Sequence, residues 1–172
     1  MKRMNTRHPL PRRGFLAAAA LSVTLAGCGF ELRKAPVFAF KTLVVQGSSA
    51  LVNSLRRNLR AAGNVELLPN DQIAKADAVL EILAENRDQI VTSTNSAGQV
   101  REIQLRLTVR FRLRGQGGKE LLAPTEISQT RDITYNETAA LAKASETELL
   151  YVDMQNDIAQ QMLRRLAAAK AS

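Results

Sequence analysis

Histidine and cysteine occur once each, as His8 and Cys28, and tryptophan does not occur at all in the 172 residues. Once the first residues are removed, that inventory excludes Ser–His–Asp and Cys–His catalysis and leaves no ligands for an ordinary zinc site. No second cysteine is present to pair with Cys28, so disulfides say nothing about the compartment. The longest apolar run, Phe15 to Ala26, has about 12 residues, whereas a helix that spans hydrocarbon needs about 20. A retained transmembrane anchor is therefore not expected. A chain of this length accommodates one domain rather than two.

The first 30 residues contain no acidic side chain. Lys plus Arg total 24 against 16 Asp plus Glu, a formal +8 that invites a nucleic-acid reading. Yet Lys2, Arg3, Arg7, Arg12 and Arg13 all precede residue 14 with no acid among them. A basic start, a short apolar run and then Leu25-Ala26-Gly27-Cys28 are together the pattern of a signal peptide ending in a lipobox. Cleavage before Cys28 removes residues 1–27, leaving 19 bases against 16 acids, a net +3, and the argument for nucleic acid largely disappears. The segment resembles the leaders of bacterial lipoproteins, which implies that Cys28 becomes the first residue and carries a covalent lipid. A single acyl chain binds a membrane only marginally, and durable anchoring takes two signals. By the same resemblance Gly29, rather than Asp, after the anchor implies delivery to the outer membrane. Arg12-Arg13-Gly14-Phe15-Leu16 resembles a twin-arginine signal, so the export route stays open between that system and the general one.

Residues 28–38, with Pro36 among them, are expected to be a lipidated tether, and 39–170 a single domain. Lys41 to Gln46 is β-branched and closed by Gly47, a short strand. Leu51, Leu55 and Leu59 recur every four residues after Ser48 and Ser49, either of which can cap a helix, and Gly63 stands where a left-handed terminator belongs. Pro69-Asn70-Asp71 breaks the chain, and Ala78 to Thr92 is expected to be a second strand. From Ile103 to Leu113 every odd position is apolar, while the even ones are Gln104, Arg106, Thr108, Arg110 and Arg112, with Arg114 next. This strict period of two predicts a strand with one greasy and one cationic face. Ser96-Ala97-Gly98 and Gly115 to Gly118 are hairpin turns on either side of it, the second leading into a strand over Thr125 to Tyr135. Glu137 to Lys170 lacks Gly and Pro, and Leu150, Met154, Ile158, Met162 and Leu166 form its apolar stripe. One long helix is expected, with Thr134 and Glu137 at capping-box spacing. The fold class is then α+β: a two-layer sandwich, a four-stranded mixed sheet with two helices packed on one face.

Cys28-Gly29-Phe30-Glu31-Leu32-Arg33, the strand–helix opening, the three long strands and the tail Leu149 to Asp157 with Gln160 to Leu166 resemble the LPS-assembly lipoprotein family LptE. The likeness covers nearly all of the chain. It implies a non-enzymatic, lipid-anchored protein on the periplasmic side of the outer membrane. Such a protein plugs the β-barrel of LptD one-to-one and assists insertion of lipopolysaccharide into the outer leaflet. No cofactor is implied beyond the lipid on Cys28, and no nucleic acid.

Arg106, Arg110, Arg112 and Arg114 project to one side of their strand, those two residues apart about 6.6 Å from each other. Guanidinium forks match phosphate oxygens, and lipid A carries phosphates, so this row is the candidate lipopolysaccharide site. Equally open at this point is a solvated face whose arginines pair with Glu126 and Asp132 of the next strand, and contact with the barrel wall is a third reading. Asp153 and Asp157, one turn apart, read as solvent-facing rather than metal-binding, and Tyr135 and Tyr151 as packing. The competing functions are an accessory lipid-binding subunit of a phospholipid-trafficking transporter and an envelope hydrolase using two carboxylates. The latter lacks a clustered acid pair on the expected strands.

Overall fold

The computed structural model describes residues 36–169. The leader, Cys28 and most of the tether lie outside the described residues, as does Lys170.

Thr42–Val45 forms strand β1. Helix α1, Ala50–Ala62, starts where the Ser49 hydroxyl accepts from the Val52 N–H at 3.3 Å. It ends at Gly63, whose φ of 73° is left-handed and cheap only for glycine. Leu51, Leu55 and Leu59 are fully buried on its inner face. Beyond the helix Glu66–Leu68 forms β2, parallel to β1 in the register Thr42↔Glu66 to Val44↔Leu68. This fifth strand corrects the expectation of four. At three residues it is too short for a period of two to show in the sequence.

A 3₁₀ segment, Asn70–Lys75, leads into β3, Ala78–Thr94, followed by β4, Val100–Gly115, and β5, Glu120–Thr134. The sheet order is β2-β1-β3-β4-β5, with β1 parallel to both neighbours and β3, β4 and β5 a long antiparallel meander. Helix α2, Ala140–Ala168, has 29 residues and so runs about 44 Å. The anticipated capping box does not form, because Thr134 pairs with Glu102 in the sheet and the Tyr135 N–H continues the ladder to the Arg101 carbonyl at 2.8 Å. Asn136 takes over the role: its side-chain oxygen accepts from the Thr138 N–H and hydroxyl, turning the chain into the helix.

Both helices lie on one face of the sheet. Met154, Ile158, Met162 and Leu166 of α2 are fully buried against Leu105, Leu107, Val109, Phe111 and Leu113 of β4, so the methionines fill core. The helices meet through Ser54, whose hydroxyl donates to Asn156 Oδ1 at 3.0 Å. Phe38, assigned to the tether by sequence, is buried and stacks on Phe40 with ring centroids 5.4 Å apart, so the domain begins earlier than residue 39. On the opposite face Val44, Ala76 and Val79, with Leu68 beside them, form a second small cluster.

Asp77 ties the start of β1 to the start of β3. Its carboxylate accepts from the Lys41 and Thr42 N–H groups at 2.9 and 3.0 Å, and the Thr42 hydroxyl accepts from its own N–H. The two backbone donors hold its pKa below the ordinary 3.8. A carboxyl whose native pKa is depressed contributes stability that is complete above its unfolded value and lost as pH falls through the lower native one. In urea melts, the difference between wild type and Asp77→Asn is therefore expected to be constant above about pH 5 and to shrink below pH 4. At neutral pH Asp77→Ala is expected to cost about 1.5 kcal/mol, the usual scale for hydrogen bonds to a charged group.

Candidate functional site

The face of the meander turned away from the helices carries the four arginines named from sequence. β4 pairs with β3 so that Arg114 faces Val79, Arg112 faces Glu81, Arg110 faces Ala84 and Arg106 faces Asp88. On its other side Arg110 faces Glu126, Arg106 faces Thr130 and Gln104 faces Asp132. The neighbouring strands thus supply Glu81, Asp88, Glu126 and Asp132 to the face expected to be cationic. The face is one of mixed charge, because the sequence of a single strand shows only its own contribution.

The four arginines divide into two pairs. Glu81, 7% exposed, lies between Arg112 and Arg114: its Oε2 accepts from Arg112 Nε at 2.5 Å and its Oε1 from Arg114 Nη2. Those two guanidiniums are occupied by an acid on β3. The pairing expected with Glu126 and Asp132 is not made; Asp132 instead accepts from Gln104 at 3.1 Å. Arg106 contacts the Gln104 side-chain oxygen at 3.4 Å, and Arg110 is exposed. Among the described residues no ion pair reaches Arg106 or Arg110. Beyond Arg114 the face ends in a cavity of about 540 Å³ bordered by Ile73, Val79 and the Gly115–Gly118 turn.

Glu81 is the residue that single-strand reasoning missed. Its signal was a lone acid inside the apolar run Ala78 to Ala84, which demands a cation once that run is buried. The remaining candidates have structural places. Asp157 pairs with Arg131 at 2.7 Å, and no group of three or more potential metal ligands occurs among the described residues. The Tyr151 hydroxyl donates to the Asp88 carbonyl at 2.9 Å and Arg87 lies over its ring at 4.8 Å. Burial raises the Tyr151 pKa against the opposing Arg87 charge, consistent with packing. Tyr135 borders a cleft of about 290 Å³ with Ile103 and Ile133. No helix among the described residues is long and apolar enough to cross a membrane.

A family model described as LptE, lipopolysaccharide-assembly, matches residues 36–166, nearly the whole described domain. The chain belongs to the LptE family of lipopolysaccharide-assembly lipoproteins. The LPS-assembly lipoprotein LptE of Yersinia pestis is 32% identical over 162 residues, covering 91% of this chain and 76% of that protein. The solution structure of an uncharacterized lipoprotein B from Nitrosomonas europaea superimposes with a TM-score of 0.69 at 30% identity, over 81% of this chain and 91% of that one. The crystal structure of the rare lipoprotein B from Shewanella oneidensis gives 0.64 at 27% identity, over 74% and 95%. The fold is thus shared with these lipoproteins over most of the chain. Cys28, the expected lipidation site, lies outside the described residues.

Proposed function

We propose that this LptE-family chain is anchored through a lipid on Cys28 at the periplasmic side of the outer membrane. There it plugs the LptD β-barrel and assists lipopolysaccharide into the outer leaflet without catalysing a reaction. The body suits that work: one continuous core under two helices, and a broad polar sheet face. Within this role, Arg110 and Arg106 contact lipopolysaccharide phosphates. The observation that carries this assignment is the exposed Arg110 guanidinium, which no carboxylate of the described domain neutralises. Arg112 and Arg114 shape the row but are held by Glu81. A phosphate reaching Arg110 gains charge-assisted hydrogen bonds without first displacing a protein partner.

Arg106→Ser with Arg110→Ser is expected to weaken lipopolysaccharide binding by the purified domain about tenfold, the scale of one lost charge-assisted contact. Arg112→Ser is expected to change it less than threefold. Equal affinity of wild type and the Arg106/Arg110 double variant ends the assignment. Stable co-purification with a phospholipid transporter in place of a large barrel would move the protein to the trafficking alternative.

A further inference from the structure

β5 is the last strand of the sheet, and most of its outer edge carries no hydrogen-bonding partner among the described residues. The direction of each backbone group follows from the ladder. The Tyr135 N–H bonds to Arg101, so Ile133, Arg131, Gln129 and Ile127 also point toward β4, and Glu126, Ser128, Thr130, Asp132 and Thr134 point outward. Two outward carbonyls bear this out: that of Glu126 accepts from Arg165 at 3.2 Å and that of Thr130 from Arg131 at 3.0 Å. Both are exposed contacts to flexible side chains, and neither occupies an outward N–H.

Long open edges invite pairing, and proteins normally blunt them with proline, lysine, a bulge or a covering element. The stretch from Thr125 to Thr134 has no proline, lysine or bulge, and the charged side chains it brings to the arginine face are Glu126 and Asp132. Its one nearby proline, Pro124, sits at the register break between Phe111↔Thr125 and Leu113↔Leu122, outside the regular run. Register is unbroken from Glu102↔Thr134 to Phe111↔Thr125, and α2 packs over the face of β4 and β5. The other flank of the meander differs, since Glu148, Tyr151 and Gln155 of α2 reach Arg87, Asp88 and Glu85 of β3.

We infer that the outer edge of β5 is a strand-addition site for an extended segment of a partner chain with basic side chains beside Glu126 and Asp132. Main-chain bonds to the outward groups supply the affinity, and the two carboxylates, six residues or about 20 Å apart on one face, select the charge. A second copy of this chain fits less well, because it brings the same two carboxylates to a face that already holds them. The choice of partner rests on the plug reading: a closed barrel wall has no free edge, so the segment is a loop or terminus of the barrel protein.

The test is residue-resolved amide exchange on the full chain, alone and in complex with its cognate LptD barrel, paired with the retention of Ser128→Pro in that complex. Proline at an outward position of an edge strand leaves the ladder to β4 intact. Exchange at Ser128, Thr130 and Asp132 is expected to slow at least 100-fold in the complex, and Ser128→Pro to be retained at least tenfold less. Should the complex form while those amides exchange as fast as in the free chain, the edge inference fails and the plug reading stands. If the wild type forms no complex with the barrel, both fail. Protection of the same amides in the barrel-free chain, together with a dimeric mass, assigns the edge to a second copy and overturns the proposal. Because exchange is read on the wild type, the test survives a proline variant that does not fold.

Discussion

Phe111→Ala is expected to lower the stability of the domain by about 3–5 kcal/mol, the range for truncating a fully buried phenylalanine. Phe111 has no exposed surface and stands among the largest fully buried side chains. It lies on β4, the central strand of the meander, between Ile82 of β3 and Thr125 of β5. Removing the ring leaves a void that long strands pinned on both sides cannot collapse to fill. Since whole domains are stable by only about 5–15 kcal/mol, this single change should bring the protein close to unfolding at 37 °C. Urea titration checks it: the midpoint should fall with little change in slope. Leu141→Ala, at a side chain 88% exposed, should stay within about 0.5 kcal/mol of wild type and serves as the control.

Glu81→Ala is expected to have the second largest effect, and to move stability and ligand binding in opposite directions. The substitution leaves Arg112 and Arg114 side by side on β4 with no acid between them. Deleting one partner of a fully buried pair costs about 3–5 kcal/mol; here the arginine side chains keep 34% and 41% of their surface in water, so about 2 kcal/mol is expected. Removing all three charges together should recover most of that loss, because the cost comes from the unpaired cations rather than from the missing bonds. If the arginine row contacts phosphate, freeing two guanidiniums should also tighten lipopolysaccharide binding severalfold, read at a temperature where the variant remains folded. Weaker binding by folded Glu81→Ala would mean that the triad itself, and not the bare cations, makes the contact.

The two experiments probe different layers of one molecule. The first concerns the greasy side of β4, whose odd positions build the core. The second concerns its even positions, where the charge available to a ligand depends on β3.

That division also separates what was legible in the sequence from what was not. The β4 alternation, the four-residue spacing of leucines in α1 and the apolar stripe of α2 are local periodicities, each written within one segment, and each appears where it was expected. So did the Ser49 and Gly63 caps, which depend on neighbours three or four residues away. The lipopolysaccharide-assembly family was legible too, through the tail and the order of elements.

What only the tertiary structure decided is which residues face one another across strands. The bulge between Ile82 and Ala84 shifts which β3 side chains face each side of the sheet, so that Glu81 and Asp88 share the arginine face and Glu85 and Arg87 face α2. Pairing over separations of about 30 residues, as between Glu81 and Arg112, leaves no mark in either segment alone. The three-residue β2, the loss of the capping box to the β5 ladder and the open edge of β5 arise in the same way. Periodicity is a property of one stretch of chain; register, burial of charge and exposure of an edge are properties of the assembled sheet.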